Sequence, residues 1–348
     1  MPHPIAPMPH PMFGTSVVAA PMAGGTSTPS FVTAVHQAGG LGFLAAGYKD
    51  PAAMAAEIRS VRATGVRFGM NVFVPDPAQL PPGPAVMAAL EAYRQELIPE
   101  AERYGIELPA PRLDDDDSWQ EKIELLLADP VELVSFTFGL PGTDTVRRLQ
   151  QKGSLVLATV TGVAEARLAE ERGVDAVVVQ HSCAGGHSAA FLPGSAGPAE
   201  GTTADLVRAV HAAVGLPLVA AGGIIDASGV AGVLAAGAGA AQVGTALLRT
   251  AESGTRQLHK DALANPRFTG TAMTRAFTGR SARALVNEFV AAHPDAPEAY
   301  PAVHHLTAPL RAAAAAAGDP ERLNLWAGTG WREARPGPVA GVLARLLG

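Results

Sequence analysis

The sequence predicts an α/β protein built as a (β/α)8 barrel, with a smaller, mainly helical domain over its active face. Eight short apolar runs alternate with amphipathic segments, which is typical of a parallel sheet whose strands are covered by helices. The eight repeats occupy about 230 residues, the size of such a barrel. A doubly wound open sheet shows the same alternation and is the alternative that the pattern leaves open.

Each predicted strand is an apolar run of six to nine residues that leads into glycine, proline or polar residues. Runs that are apolar on both faces favour strands buried between a core and a layer of helices. The predicted strands are 17–22, 41–47, 68–74, 133–139, 155–160, 176–181, 216–223 and 240–248.

The segments between the strands carry the signals of covering helices. In "DTVRRLQQKG" (144–153) and "AEARLAEERG" (164–173), apolar positions recur at helical spacing, cations occupy the last turn and a glycine follows. Two stretches do not fit the repeat, namely 75–130 after the third strand and 250–323 after the eighth. Both contain helical patterns with proline breaks. Because insertions after barrel strands lie over the active face, both are predicted to form a lid.

These boundaries divide the chain into four parts. We expect a flexible tail at 1–14, whose Pro, His and Met content fits a poorly ordered segment better than a metal-binding one. The barrel follows at 15–249, with its helical insertion at 75–130. A helical substrate or lid domain is predicted at 250–323, and a C-terminal segment at 324–348 returns to the barrel.

Composition narrows the partners to small molecules. The 348 residues carry a net charge of −6, and the absence of a basic stripe argues against nucleic acid. One cysteine excludes an internal disulfide and fits a reducing compartment. No apolar run is long enough to span a bilayer, and the first residues lack the order of a signal peptide. We therefore expect a cytoplasmic monomer or homodimer that does not bind membranes.

The predicted strand ends supply few reactive groups. None of the four lysines lies within or at the end of a predicted strand from four to eight, which disfavours Schiff-base chemistry. Carboxylates do not gather there for Mg²⁺, and no His, Cys and Glu cluster has zinc spacing. The acidic run Asp114 to Asp117 is interpreted as a solvated loop that caps the helix beginning near Ser118. A bound cofactor must therefore carry the difficult step.

Glycines and amides at the strand ends predict a pocket for flavin mononucleotide (FMN). Gly222 and Gly223 close the seventh strand and Thr245 lies on the eighth, where this fold builds phosphate sites. Asn71 and Gln180 are amides that can both donate to and accept from the edge of a planar ring. Met22 offers a polarizable surface, although a Met after a strand is more often simple core.

His187 is the candidate catalytic residue. It follows Gly185 and Gly186, whose missing side chains would let the loop pass close to a flat ring and present the imidazole above it. A histidine there can remove a proton or stabilise a developing anion. His181 lacks such glycines, and Cys183 has no neighbouring cation in sequence, so both are interpreted as structural residues.

Seven motifs, taken in order, resemble the nitronate monooxygenases, formerly called 2-nitropropane dioxygenases. The resemblance covers roughly residues 15–332. The motifs are "APMAGGTS" (20–27), "GMNVFVP" (69–75), "AGGH" (184–187), "AAGGI" (220–224), "QVGTA" (242–246), "FTGRSAR" (277–283) and "LWAGTG" (325–330).

The resemblance implies a barrel that holds FMN non-covalently, with His187 as catalytic base or anion stabiliser. The implied reaction is oxidation of an alkyl nitronate, such as propionate-3-nitronate, by O₂ to a carbonyl compound and nitrite. A cationic His187 would hold the anionic substrate, and a neutral one would take the α-proton of a nitroalkane. The implied cofactor contacts are Ala20, Pro21, Met22, Ala23, Asn71, Gln180, Gly185, Gly186, Ala221, Gly222, Gly223, Gln242, Val243, Gly244, Thr245 and Trp326.

Two positions depart from the family pattern, and two other functions stay open. Cys183 stands where the family often has Glu, and Thr329 stands where it usually has Gln. They leave open the substrate preference and the orientation of His187. A flavin-dependent enoyl-ACP reductase or NAD(P)H:quinone reductase shares the barrel and the "AGGH" motif, although residues 304–330 look closer to the monooxygenases. A non-catalytic barrel that binds a phosphorylated ligand is the alternative of another class.

Overall fold

The computed structural model describes residues 10–76, 82–195, 197 and 200–348. Eight of its strands are parallel and close into a barrel, which confirms the predicted fold class. The strands from the start of the barrel to its last strand are β1 (Val17–Ala19), β2 (Leu41–Ala45), β3 (Phe68–Phe73), β4 (Leu133–Thr137), β5 (Leu155–Val160), β6 (Ala176–Gln180), β7 (Gly186–His187), β8 (Leu218–Ala221) and β9 (Ala240–Val243). The short β7 lies outside the barrel, and β9 pairs with β1 to close it.

All eight predicted strands exist, but most end earlier than predicted. The clearest difference is the run 240–248, of which only Ala240–Val243 is a strand. Gly244 turns into helical backbone with φ −115° and ψ −69°, and a 3-10 helix covers Thr245–Leu247. An apolar run does not distinguish a buried strand from a buried helical turn, so the pattern alone could not locate this end.

The helices of the chain up to β9 are α1 (Pro29–Gln37), α2 (Pro51–Arg62), α3 (Pro84–Glu96), α4 (Ile98–Glu102), α5 (Trp119–Ala128), α6 (Thr143–Gln151), α7 (Val163–Arg172), α8 (Thr203–His211) and α9 (Ala227–Ala235). All of them except α3 and α4 cover the outside of the barrel, and the large apolar core lies between them and the strands. It has the two-layer packing that a parallel sheet buried on both faces requires. The helices α3 and α4 pack instead in a second apolar cluster with residues of the segment after β9.

The segment after β9 crosses the mouth of the barrel before the chain returns to its side. Its helices are α10 (Gln257–Ala262), α11 (Glu288–Ala292) and α12 (Ala302–Ala316), and α13 (Val339–Leu347) follows. The helix α13 packs against α1 and α9, where the eighth covering helix of the barrel belongs.

The segment 250–323, predicted to be mainly helical, also contains two short strands. An antiparallel hairpin of β10 (Thr271–Thr274) and β11 (Ala282–Leu285) forms there, and β11 pairs with β7. These strands are four residues each and contain few apolar residues, so no strand pattern marked them. The pairing joins the segment over the barrel mouth directly to the loop that carries His187.

Residues 10–14 belong to the base of the barrel, so the predicted tail at 1–14 is wrong for that part. Phe13 is 2% exposed and packs against the inside of the barrel. The His10 N–H donates to the Gly239 carbonyl over 3.1 Å. Residues 1–9 of the predicted tail lie outside the described residues.

The acidic run before α5 is not a solvated capping loop. Ser118, the residue at which α5 begins, makes no side-chain cap hydrogen bond. Asp117 instead forms an ion pair with the fully buried Lys122, with 2.8 Å between Oδ2 and Nζ.

The apolar helices of this fold are short. No helix in the described parts of the chain is long and apolar enough to cross a membrane.

Candidate active site

A cavity of about 310 Å³ opens at the carboxyl ends of the barrel strands, beneath the segment that crosses the mouth. Side chains from the ends of most strands meet there because all eight parallel strands point the same way. The predicted site residues that line it are Ala20, Pro21, Met22, Ala23, Asn71, Gln180, Gly185, Gly186, His187, Ala221, Gly222, Gly223, Gln242, Gly244, Thr245 and Trp326.

Val243 is the predicted site residue that this cavity does not include. Its side chain is 1% exposed and packs in the apolar layer between strands and helices. A side-chain contact with a ligand is therefore wrong for Val243, whose carbonyl accepts the Ala20 N–H over 2.9 Å.

Backbone turns after β8 and β9 form one corner of the cavity. Gly222 and Gly223 have φ values of +112° and +72°, which side chains rarely adopt. A Cβ on Gly222 would lie 2.7 Å from the His181 carbonyl oxygen. The N–H groups of Gly223 and Thr245 donate to no other group in the described ranges. Free donors on such turns are the feature that anion sites use.

The two positions that depart from the family pattern meet beside this corner. The Thr329 N–H donates to the Cys183 carbonyl over 3.0 Å. A Cβ on Gly223 would lie 3.1 Å from Cys183 Cβ and 3.5 Å from Thr329 Oγ1. Cys183 and Thr329 are thus neighbours in space.

The two glycines before His187 also have roles within the chain. A Cβ on Gly185 would lie 2.5 Å from the Gly328 backbone nitrogen, so its absence admits the C-terminal chain. Gly186 has φ +76°, and a Cβ there would meet nothing within 4 Å. Both glycines line the cavity, and their approach to a flat ring stays a prediction.

Asn71 presents an unused acceptor to the cavity. Its Nδ2 donates to the Ser135 carbonyl at 3.1 Å, to Ser135 Oγ at 2.9 Å and to Thr137 Oγ1 at 3.0 Å. The Ser135 carbonyl can only accept, so these bonds fix the orientation of the amide. The Oδ1 atom accepts nothing from the described residues and is free to accept from a ligand.

Gln180 holds the loop that carries the candidate base. Its Nε2 donates to the His187 carbonyl over 3.1 Å, and its Oε1 accepts the Ala189 N–H over 2.8 Å. Both ends of the amide are thus engaged by the 187–189 backbone. Gln180 therefore positions His187, while one Nε2 N–H and one lone pair of Oε1 stay available to a ligand. The contact of Gln180 with a ring edge stays a prediction.

The imidazole of His187 lies among aromatic rings and close to two arginines. Nε2 is 2.9 Å from the hydroxyl of Thr278, a residue of the β10–β11 turn. The ring is 5.3 Å from Trp326 and 5.6 Å from Phe138 between centroids. Burial, reinforced by the charges of Arg280 and Arg311, lowers the pKa of His187 to about 3. His187 is therefore neutral at physiological pH.

Arg311 and Arg280 are functional candidates that the sequence analysis missed. Arg311 lines the cavity and donates to Thr307 Oγ1 at 3.2 Å and to the His304 carbonyl at 3.0 Å. Arg280 lies 3.9 Å above the Phe138 ring. Neither guanidinium has a carboxylate within 4 Å among the described residues. In the sequence, Arg280 is marked only by its place in the "FTGR" motif, and Arg311 only as a single charge within the Ala-rich α12.

The charge of the cavity is positive. The described residues that line it include Arg256 and Arg311 but no aspartate or glutamate. Burial, reinforced by the charge of Arg256, lowers the pKa of Arg311 to about 10. An uncompensated buried cation in a cavity favours an anionic ligand.

Metal chemistry has no support at this site. Among the residues that the structure describes, no group of three or more His, Cys, Asp or Glu side chains could hold a metal ion. The second cavity histidine, His259, donates through Nε2 to the Trp326 carbonyl over 3.0 Å, and burial lowers its pKa to about 4.

Comparisons with known proteins place the chain among enzymes of one kind. The family profile described as "Nitronate monooxygenase" matches residues 11–348. A "Probable nitronate monooxygenase" of Staphylococcus aureus strain MRSA252 is 34% identical over 337 residues, covering 95% of this chain and 93% of the relative.

Two solved structures are similar over nearly the same length. The nitroalkane oxidase from Streptomyces ansochromogenes is 48% identical with a TM-score of 0.90, over 96% of this chain and 95% of that chain. FabK from Thermotoga maritima is 25% identical with a TM-score of 0.72, over 96% of this chain and 92% of that chain. The higher identity lies with the protein named for nitroalkanes.

Proposed function

Because the chain belongs to the nitronate monooxygenase family, we propose that it binds FMN and oxidises an alkyl nitronate, such as propionate-3-nitronate, with O₂. The products are a carbonyl compound and nitrite. The observation that carries the proposal is the cavity that contains neutral His187 and the unpaired Arg311 but no carboxylate in the described lining.

The residues at the strand ends fit FMN. The turns at Gly222 and Gly223 leave space where side chains would stand, and the unused N–H groups of Gly223 and Thr245 suit a phosphate. Asn71 Oδ1 suits a ring N–H. When bound, FMN would supply the exchange of electrons between substrate and O₂, which no side chain can provide.

Arg311 would bind the negative charge of the nitronate. Its Nη1 donates to no group in the described parts of the chain, whereas Nε and Nη2 are held by Thr307 and His304. The two N–H groups of Nη1 can donate to a nitronate oxygen, and the charge of the guanidinium attracts the anion. We assign the anion to Arg311 rather than to a cationic His187, because burial lowers the pKa of that imidazole to about 3.

His187 would accept the proton from the α-carbon of a nitroalkane substrate. A neutral nitroalkane must lose its α-proton to become a nitronate, and a neutral imidazole can accept it. Thr278 Oγ1 and Gln180 hold the ring and its backbone. An anion bound at Arg311 would offset part of the repulsion that lowers the pKa of His187, so substrate binding would make it a better base.

One assay in air tests the proposal against its alternatives. Purified protein is mixed with propionate-3-nitronate, and separately with NADH or NADPH, while O₂, nitrite and nicotinamide absorbance are followed. Nitrite formation without nicotinamide consumption is the expected result. Rapid NAD(P)H oxidation without nitrite would favour the reductase alternative, towards which the similarity to FabK points. A protein that purifies colourless and binds no FMN would favour the non-catalytic barrel.

A further inference from the structure

A buried ion pair lies outside the cavity but is connected to it. Lys122, on α5, has no exposed surface and is 2.8 Å from Asp117 Oδ2, while its Nζ also donates to the Ala46 carbonyl over 3.0 Å. Burying an ion pair costs free energy that its mutual attraction rarely repays in full. The mechanism above uses neither residue, so the pair needs another explanation.

The ion pair fixes an unusual backbone conformation. Tyr48 follows β2 with φ +67°, a strained conformation that is rare for an aromatic residue. Its N–H donates to Asp117 Oδ1 over 2.9 Å. With Lys122 on one carboxylate oxygen and Tyr48 on the other, Asp117 ties the turn after β2 to the insertion that contains α5.

The strained turn places the Tyr48 ring against His304. The two rings are parallel within 3° and their centroids are 4.0 Å apart. His304 in turn holds Arg311, whose Nη2 donates to the His304 carbonyl at 3.0 Å and lies 3.3 Å from Nδ1. Burial and the charge of Arg311 lower the pKa of His304 to about 2, so this imidazole is neutral and its Nδ1 can accept.

We propose that Lys122, Asp117 and Tyr48 are positioning residues for the anion site, and that they act on Arg311 through the stacked ring of His304. The chain of contacts begins in the insertion at 75–130 and ends at the guanidinium that faces the cavity. The proposal rests on the proposed function, because it needs Arg311 to bind the anionic part of the substrate.

The hydroxyl of Tyr48 takes no part in this arrangement. It is buried and lies beside the Tyr300 side chain, and it makes no hydrogen bond to His304 or Arg311. The ring and the backbone of Tyr48 therefore carry the effect. This distinguishes the proposal from one in which the phenol contacts the substrate, because removal of the hydroxyl alone should have little effect.

Binding of nitrate, a planar anion that resembles the nitronate group, tests the proposal without turnover. Calorimetry on the flavin-loaded protein compares wild type with Tyr48→Phe, Tyr48→Asn, Lys122→Met and Arg311→Met. Asn tolerates positive φ but cannot stack, so Tyr48→Asn isolates the ring. We expect it to weaken nitrate binding about three- to tenfold, the range for an aromatic pair. Tyr48→Phe should restore binding, and Lys122→Met should resemble Tyr48→Asn.

The double variant Tyr48→Asn/Arg311→Met identifies the route. If the positioning residues act through Arg311, it binds nitrate no more weakly than Arg311→Met alone. Full additivity, wild-type affinity in Tyr48→Asn, or an equal loss in Tyr48→Phe would each overturn the proposal. If Lys122→Met does not fold, the Tyr48 variants still decide the question. A wild type that produces no nitrite but shows these nitrate effects would contradict only the proposed function.

Discussion

Replacing Arg311 with Met should separate catalysis from stability. The variant removes the unpaired guanidinium of the cavity while keeping an unbranched side chain of comparable length. A hydrogen-bonded contact with a charged partner contributes about 2–3 kcal/mol, which corresponds to about 30- to 150-fold in kcat/KM for a nitronate. A neutral nitroalkane of the same skeleton loses an uncharged hydrogen bond of about 1 kcal/mol, or about fivefold.

The same substitution should hardly change the free energy of unfolding. Burial lowers the pKa of Arg311 from its ordinary value to about 10, an unfavourable contribution of roughly 3 kcal/mol to keeping the charge in the folded protein. Its bonds to Thr307 and His304 contribute about 1 kcal/mol each. These contributions nearly cancel, so we expect a change within about 1 kcal/mol.

Arg322 is the matched control. It is 5% exposed and pairs with Glu100 at 2.9 Å and with Glu288 at 2.5 Å, outside the cavity lining. Arg322→Met removes the shorter ion pairs of Glu100 and Glu288, which keep contacts with Arg103 at 3.6 Å and Arg267 at 3.4 Å, and it should cost about 2–3 kcal/mol in urea unfolding. The ratio of nitronate to nitroalkane activity should stay unchanged. Equal losses on both substrates in Arg311→Met, or destabilisation as large as in Arg322→Met, would refute the reasoning.

Three further predictions concern the base, the glycine turn and acid stability. His187→Ala should keep the flavin absorbance and lose most turnover of a neutral nitroalkane, whose α-proton needs a base; unchanged turnover of the nitroalkane would remove His187 from the mechanism. Gly222→Ala places a Cβ 2.7 Å from the His181 carbonyl at φ +112°, so flavin should be lost on dialysis, whereas Gly232→Ala, where a Cβ meets nothing within 4 Å, should retain it. Because the pKa of His187 is about 3 when folded and about 6.5 when unfolded, the unfolded chain binds more protons between these values. The free energy of unfolding should therefore fall as pH drops below about 6.5, and His187 should contribute at most about 2 kcal/mol of this loss at pH 5. Urea midpoints that stay constant from pH 7 to pH 5 would contradict this.

The barrel could be predicted because each strand has a recognisable pattern in its own local sequence. A run such as "AVVVQH" is apolar on both faces, and only a strand between two apolar layers needs that pattern. The ends of the strands were less certain, because Thr245–Leu247 is as apolar as a strand but follows a glycine that turns the chain. Most of the predicted site residues line one cavity because the strand ends of a closed barrel must converge.

The residues that the sequence did not reveal are brought to the site by long-range contacts. Arg311 is a single charge on an Ala-rich helix, and such a charge is usually solvated; its burial follows only from the position of α12 over the barrel mouth. Thr278 reaches His187 because β11 pairs with β7, a contact between residues about 95 positions apart in the chain. Gly185 illustrates the reverse case, since its role depends on a backbone segment at 327–328 that no local pattern connects to it.

A crystal structure of the protein loaded with FMN and soaked with nitrate would test the central claim most directly. We expect the phosphate at the N–H groups of Gly223 and Thr245, the ring edge at Asn71 Oδ1, and nitrate between Arg311 and His187. Nitrate bound elsewhere, with Arg311 turned away from the ring, or a flavin outside the cavity at the strand ends, would contradict the account.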